Sequence, residues 1–374
     1  MIIHLDIDSF FVSAHRILDK RLLNKAVAVG GRSNLSIFDQ KKKISNQISS
    51  NNGAFVSSIL SKNELSSSEY FKDKDGRVRG IITTASYEAR RYGIKTAMSV
   101  REALDLCPHL IMIPPDYTLY HELSEKLNKY LYTKTPYVEQ FSIDEFFIDL
   151  TGWIEDKDMI AFANELKNEV KEKFALPISI GIANTKWIAK LATTDSKPDG
   201  IKEIKKDEVY NYIKDKPISS FPGIGKGYEK RLLVHGIRRL GQIRDKKELL
   251  YSWKKPGIQL YNRVLGIDNE KIVKRAGKKS IGIGRTFDPI QDRDEIKRRI
   301  LILCRYISFL VYKQNVTPQT FFLKIRYEYR IKSKNYLNTK NLILNQDLTD
   351  LSNPKNKFLM RKSNKLIVVK LSTI

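Results

Sequence analysis

The chain has 374 residues, 41% of them hydrophobic, and carries 67 Lys and Arg against 42 Asp and Glu, a net charge of +25 with a pI of about 9.7. That length and apolar content allow about two to four domains with real cores. A strong positive balance points to a polyanionic partner, nucleic acid before a membrane surface, because no apolar run approaches the roughly 20 residues that span a bilayer. Cys107 and Cys304 are too few for a disulfide framework or a structural zinc site, and the N-terminus lacks a signal-peptide plan, so a reducing cytoplasmic location is expected.

Residues 2–7 and 25–31 read as strands. In the first, "MIIHLDIDSFF", Asp6 and Asp8 share one face while Leu5 and Ile7 take the other. From residue 32 to about 80 the chain turns rich in Ser, Asn and Lys, which reads as an irregular surface insertion with one short helix. "GIITTAS" resumes a strand, "SYEARRYGI" opens a helix, "SVREALDLCP" is a short helix stopped by Pro108, and "HLIMIPP" is a strand. A helix over 117–133 precedes an acidic strand segment, 138–150, that contains "QFSIDEFFIDL".

Asp144 and Glu145 are the most informative residues of the chain. Ionised carboxylates resist burial among Phe, Ile and Leu unless something pairs with them. Two acidic strand segments side by side would build an all-oxygen nest for a hard cation such as Mg²⁺. Paired metals in such a nest are the machinery of nucleotidyl transfer. A helix over 157–174, a strand over 177–183 and a helix starting near Thr185 complete an α/β layer pattern through about residue 200.

Residues 203–269 read as wholly helical. In "FPGIGKGYEKRLLVHGI", Pro222, Gly223, Gly225 and Gly236 fall where a helix-hairpin-helix needs them, and the turn at Gly223, Gly225 and Lys226 frees amides that can hold a phosphate. "KKPGIQLYNRVLGI" (254–267) is a weaker second copy. A basic linker over 270–279 leads to a strand, a helix over 292–313, the strand "TFFLKIRYEYRI" and a last strand, "KLIVVKLS". Residues 271–374 hold 24 Lys and Arg against 7 Asp and Glu. Lys324, Arg326 and Arg330 between apolar residues suit a sheet lying on a duplex backbone.

"HLDIDSFF", "TTASYEARRYGI", "FSIDEFFIDL", "SIGIANTKWIAKLATTDSKPDGI", the hairpin at 221–237 and "KKSIGIGRTF" fall in an order that resembles the Y-family, DinB-type translesion DNA polymerases over nearly the whole chain. The resemblance implies a multi-domain α/β right-hand polymerase. Its parts would be a palm (1–10 and 116–202), small fingers (11–115, with the insertion at about 32–80), a helical thumb (203–269), a linker (270–279) and a basic α/β little finger (280–374). The last is expected to be reduced, since its usual second helix is hard to find.

By the same resemblance Asp6 and Asp144 match metal-binding aspartates and Glu145 the catalytic glutamate, itself a ligand. The Ile7 backbone carbonyl is a further ligand, for two Mg²⁺ in all. Asp8 is not assigned as a ligand; a basic partner is as good an expectation. Phe11 matches a steric gate against ribose, with Phe10 beside it. Thr84, Tyr87, Arg90 and Lys190 match residues that bind the incoming triphosphate. Lys279 and Arg285 join Gly223, Gly225, Lys226, Lys324 and Arg326 as expected DNA contacts. The implied activity is error-prone, template-directed extension of a primer with dNTPs across damaged template, by a monomer without proofreading. No Gln-x-x-Leu-x-x-Leu-Phe-like segment closes the chain, so a sliding-clamp partner is left open. Two other readings stand beside this one: a non-catalytic DNA-binding protein that keeps a polymerase-like fold, and a nucleotide cyclase.

Overall fold

The computed structural model describes residues 1–33, 35–38, 67–73, 75–273, 280–290, 292–316, 320–327, 339–343 and 364–372. In chain order the elements are β1 (Ile2–Ile7), α1 (Phe10–Leu18), β2 (Val27–Gly31), α2 (Ser67–Tyr70), β3 (Ile81–Ala85), α3 (Tyr87–Arg91), α4 (Val100–Leu106), β4 (Ile111–Ile113) and α5 (Tyr117–Lys134). Then come β5 (Val138–Gln140), β6 (Glu145–Asp149), α6 (Met159–Phe174), β7 (Ile178–Ala183), α7 (Lys186–Ser196), β8 (Ile201–Ile204), α8 (Val209–Ile213), α9 (Lys226–Val234), α10 (Lys247–Ser252) and α11 (Lys254–Leu265). The last are β9 (Ser280–Ile290), α12 (Arg293–Gln314), β10 (Thr320–Tyr327), β11 (Thr339–Ile343) and β12 (Asn364–Ser372). They form two units, Met1–Gly30 with Ile81–Ala276 and Gly31–Gly80 with Gly277–Ile374.

The first unit is built on a sheet ordered β5-β6-β1-β7-β8, with β1 antiparallel to both β6 and β7. Alternation on β1 works as the sequence suggests. Ile3, Leu5 and Ile7 join Leu127 and Leu131 of α5 and Leu166 and Val170 of α6 in one apolar core, whereas His4 and Asp6 take the opposite face, toward α7. A smaller sheet is ordered β3-β2-β4. Helices α8 to α11 share a second core with α7, among them Ile213, Leu232, Leu250, Leu260 and Val264.

Three sequence expectations are corrected here. The acidic segment 138–150 is two strands, because residues 141–144 turn between β5 and β6, with Phe141 and Ser142 amides both donating to the Glu145 carbonyl. Residues 201–204 pair in parallel with β7 as β8, so the helical region starts after them. The second hairpin copy at 254–267 is the continuous helix α11. Pro256 sits in its first turn, where a missing amide costs nothing, and Gly257 lets α10 approach, since a Cβ there would stand 1.9 Å from the Leu250 carbonyl oxygen.

The second unit is an antiparallel sheet ordered β11-β10-β12-β9. Helix α12 covers it through Ile296, Ile300, Leu303, Ile307 and Leu310, which pack with Ile281, Ile283 and Phe287 of β9 and Leu323 of β10. Residues 344–363, where a reduced second helix was expected, lie outside the described residues, and so do Lys279 and Arg330.

Candidate active site

The site forms where β1 and β6 end together. Their register sets Asp6 opposite Glu145, and the Ile7 amide donates to the Asp144 carbonyl at 3.0 Å, pinning the turn before β6 to the end of β1. Ser142 fixes that turn further. Its hydroxyl donates to Asp144 Oδ1 at 2.5 Å and accepts from the Glu145 amide at 3.1 Å. The Ile7 carbonyl belongs to the same strand end. Asp6, Asp144 and Glu145, from two segments far apart in the chain, thereby come to neighbouring strand ends.

Burial makes these acids demanding. Asp6 is 8% exposed, and its burial pushes its pKa up to about 7, only partly opposed by Lys197; burial also raises Asp144. The balancing cations come from one helix. Lys186, Lys190, Thr193 and Lys197 recur at spacings of four, three and four, one face of α7 and its C-cap. Lys186 Nζ donates to Glu139 at 2.7 Å, Lys190 pairs with Glu145, and Lys197 Nζ meets Asp6 at 2.5 Å. Thr193 is bonded to the His4 ring at 2.9 Å and to the His4 carbonyl at 3.0 Å.

What seats α7 so closely is Gly181 of β7. A Cβ there would meet the Ala189 carbonyl oxygen at 2.1 Å and the Thr193 amide at 2.4 Å. His4 lies within this arrangement, fully buried, with Nε2 3.8 Å from Glu145 and a pKa lowered by burial and by the neighbouring lysines.

No group of three His, Cys, Asp or Glu side chains is drawn together as a preformed cation cage among the described residues. The donor chemistry nevertheless suits divalent cations. Buried and half-buried carboxylate oxygens lie at one strand end, and lysine ammoniums stand as the counter-charges that such cations would replace.

Asp8 corrects an expectation. Its partners are neutral: it accepts from Tyr87 Oη at 2.9 Å, Ser179 Oγ at 2.8 Å and the Asp199 amide at 2.7 Å. So Asp8 holds α3, β7 and the loop after α7 together, and its oxygens are already occupied. Tyr87 is thereby oriented, and its pKa is raised by burial and by Asp8.

Ser9 turns the chain with a left-handed backbone, φ 46°, and so directs Phe10 and Phe11 into α1. Phe10 is core, 2% exposed, 5.9 Å from the Tyr120 ring. Phe11 stacks flat on Tyr120, centroids 4.1 Å apart, which locks its orientation. Tyr120 is itself held by a hydrogen bond to His15 at 2.8 Å. Arg90 lies over the Tyr87 ring at 4.7 Å, and its Nε donates to the Ala85 carbonyl; Thr84 is half-buried on β3.

In the hairpin, Gly223 needs its left-handed φ of 98°, Gly225 caps α9, and both are exposed together with Lys226. Arg285 is half-buried, and one of its amino groups donates to the Gly284 carbonyl at 2.8 Å. Lys324 and Arg326 sit in β10, paired in register with Asn341 and Thr339, and their side chains lie outside what is described.

Sequence reasoning missed Lys197, Lys186, Glu139 and the His4–Thr193 pair. The helical period from Lys186 to Lys197 was the available signal for them.

An α/β sheet with paired acids at adjacent strand ends, a stacked aromatic at the start of α1 and a helical hairpin is the layout of a right-hand nucleic-acid polymerase. The impB/mucB/samB family model matches residues 5–194, and the model of that family's C-terminal domain matches residues 278–353. The chain belongs to this family, the DinB-type Y-family DNA polymerases, and is a DNA-directed DNA polymerase.

It is 29% identical to a DNA polymerase IV of Methanoculleus marisnigri over 330 residues, 87% of this chain and 81% of the relative. It is 33% identical to one of Staphylococcus epidermidis over 261 residues, 68% and 73% respectively. Among solved structures it resembles a Y-family DNA polymerase chimera, with TM-score 0.76, 22% identity and coverage of 100% of this chain and 98% of the other. DinB from Sulfolobus solfataricus matches at TM-score 0.59 with the same identity and coverage. Dependence on divalent metal is general for the family. Among the described residues no helix is long and apolar enough to cross a membrane.

Proposed function

We propose that the chain extends primers on damaged DNA templates with dNTPs, by two-metal nucleotidyl transfer at Asp6, Asp144 and Glu145. The observation that carries this is the register of Asp6 opposite Glu145, with Asp144 pinned beside them and lysines of α7 and its C-cap paired with Glu145 and Asp6. Asp6, Asp144, Glu145 and the Ile7 carbonyl are the oxygen donors for two Mg²⁺, which when bound supply a more acidic primer 3′-hydroxyl and charge neutralisation on the leaving pyrophosphate.

The remaining work falls to side chains. Lys197 and Lys190, freed from the acids, become cations for triphosphate oxygens. Arg90 offers a fork to the same phosphates, while Tyr87 is held by Asp8 at the base of the nucleotide site. Phe11, unable to rotate away from Tyr120, excludes a ribose 2′-hydroxyl by its bulk. The exposed turn at Gly223, Gly225 and Lys226 holds backbone phosphate without reading sequence.

The test is primer extension with Mg²⁺ and dNTPs on an intact and an abasic template, comparing the parent with Asp144→Ala/Glu145→Ala. Extension by the parent alone, on both templates, is expected. Retained DNA binding with no extension by either protein would leave the non-catalytic reading.

A further inference from the structure

The described ends of the insertion between β2 and β3 group with the C-terminal domain. The chain leaves the first unit after Gly30, returns at Ile81, and between them groups with residues 277–374. Phe38 is 5% exposed and part of the same apolar core as Phe287, Ile296 and Leu303. Its ring meets Phe287 edge-to-face at 6.2 Å, and the Arg299 guanidinium lies over both rings, at 4.7 and 4.6 Å.

Polar contacts fix the same segment. Arg298 Nη1 donates to the Phe38 carbonyl at 2.8 Å, and the Thr286 amide donates to Ser33 Oγ at 3.0 Å. Thr286 lies on β9, an edge strand of its sheet, so Ser33 takes an amide that would otherwise face solvent. Glu295 holds both arginines, at 2.6 Å from each Nε. The second arm of the insertion is tied in as well. Arg32 donates to the Lys72 carbonyl at 2.9 Å, and Arg79 bridges Asp73 at 3.0 Å and Asp288 of β9 at 3.5 Å.

A buried aromatic ring under a stacked arginine, rimmed by hydrogen bonds, is the anatomy of an interface anchor. Here the ligand is another part of the same chain. We propose that Ser33 and residues 35–38 act as a strap. Because its ends are rooted in β2 and β3, the docked insertion adds two covalent crossings between the units to the one made by the linker. It thereby limits how far the C-terminal domain travels from the fingers between nucleotide additions. Resting on the polymerase reading above, the strap lengthens the stay on DNA, since a tethered domain rebinds at high effective concentration.

The experiment uses the full chain with Phe38→Asp, Phe38→Leu and Ser33→Ala. Amide exchange of β9 and α12 reports docking, and trapped primer extension reports additions per binding event. Phe38→Asp is expected to speed exchange in β9 and α12 at least tenfold. It should also cut additions per event several-fold, with first-nucleotide incorporation in a single turnover within twofold of the parent. Phe38→Leu should restore both. Unchanged exchange would overturn docking, and faster exchange with unchanged dissociation from DNA would overturn the strap. If Phe38→Asp unfolds the C-terminal domain, Ser33→Ala decides, because it removes only the Thr286 acceptor; no effect on either readout would overturn the proposal. A parent that extends no primer would refute the polymerase reading, while the exchange data would stand.

Discussion

Asp6 and Asp8 are two residues apart on one strand and do different work. Asp6 meets a lysine that can leave, whereas Asp8 is saturated by Tyr87, Ser179 and the Asp199 amide. The sequence showed both acids as anomalies in an apolar strand, yet could not separate them, because the partners of Asp8 come from three distant segments. Phe11 illustrates the reverse: its position was legible from its offset to Asp6, its rigidity only from the stack on Tyr120. Phe11→Ala should therefore act in two ways. Discrimination against ribonucleotides, measured as a ratio of kcat/KM values, is expected to fall at least tenfold. Unfolding should show a loss of about 3 kcal/mol, the lower end for a buried Phe, since the ring lies at the edge of the core.

At the scale of elements, α7 does most to build the site. Its stripe from Lys186 to Lys197 meets three strands, and Gly181 sets how near it lies. Gly181→Ala places a methyl against helix backbone that cannot yield without moving α7, so a loss of about 1–3 kcal/mol is expected. Activity should drop by more than stability alone explains, because the lysines shift with the helix; primer extension well below the melting range would reveal it. The helix itself was readable from the sequence, but its closeness was not, because Gly181 looks like any strand glycine until α7 is placed on it.

Helix α12 carries a pH-sensitive fork. Hydrogen bonds from Arg298 and then Arg299 hold Glu295 down to about 2, from an ordinary 4.5. A depressed carboxyl contributes stability above its unfolded value, and that contribution is lost as pH falls from about 4.5 through about 2. Since Glu295 is partly exposed, solvent and salt reduce the effect. Melting curves should show Glu295→Gln below the parent at pH 7, with the gap closing across that acid range. A gap that persists at pH 2 would mean that the fork is not what the glutamate contributes.

For the whole molecule, the order of segments was legible and their grouping was not. Strand and helix periods placed β1, β7, α5, α6 and α12 nearly to their ends, whereas the region 203–269 read only as helical. Nothing local in the Ser- and Asn-rich insertion indicates that Phe38 is core, because its partners on β9 and α12 carry no periodic relation to it. A lone aromatic in polar sequence reads as surface. Here it fills a space bounded by residues that the chain supplies far later.

That separation matters before the protein is finished. Phe38 and Arg298 lie 260 residues apart, so at a synthesis rate of about 5–20 residues per second the Phe38 carbonyl waits roughly ten to fifty seconds on the ribosome for its donor, and the ring waits about as long for Phe287 and Arg299. During that interval an apolar anchor is presented on a nascent chain whose first sheet is still acquiring β5 to β8. The C-terminal domain is thus completed by the oldest part of the polypeptide, and a chain released before β9 would carry Phe38 with no place to bury it.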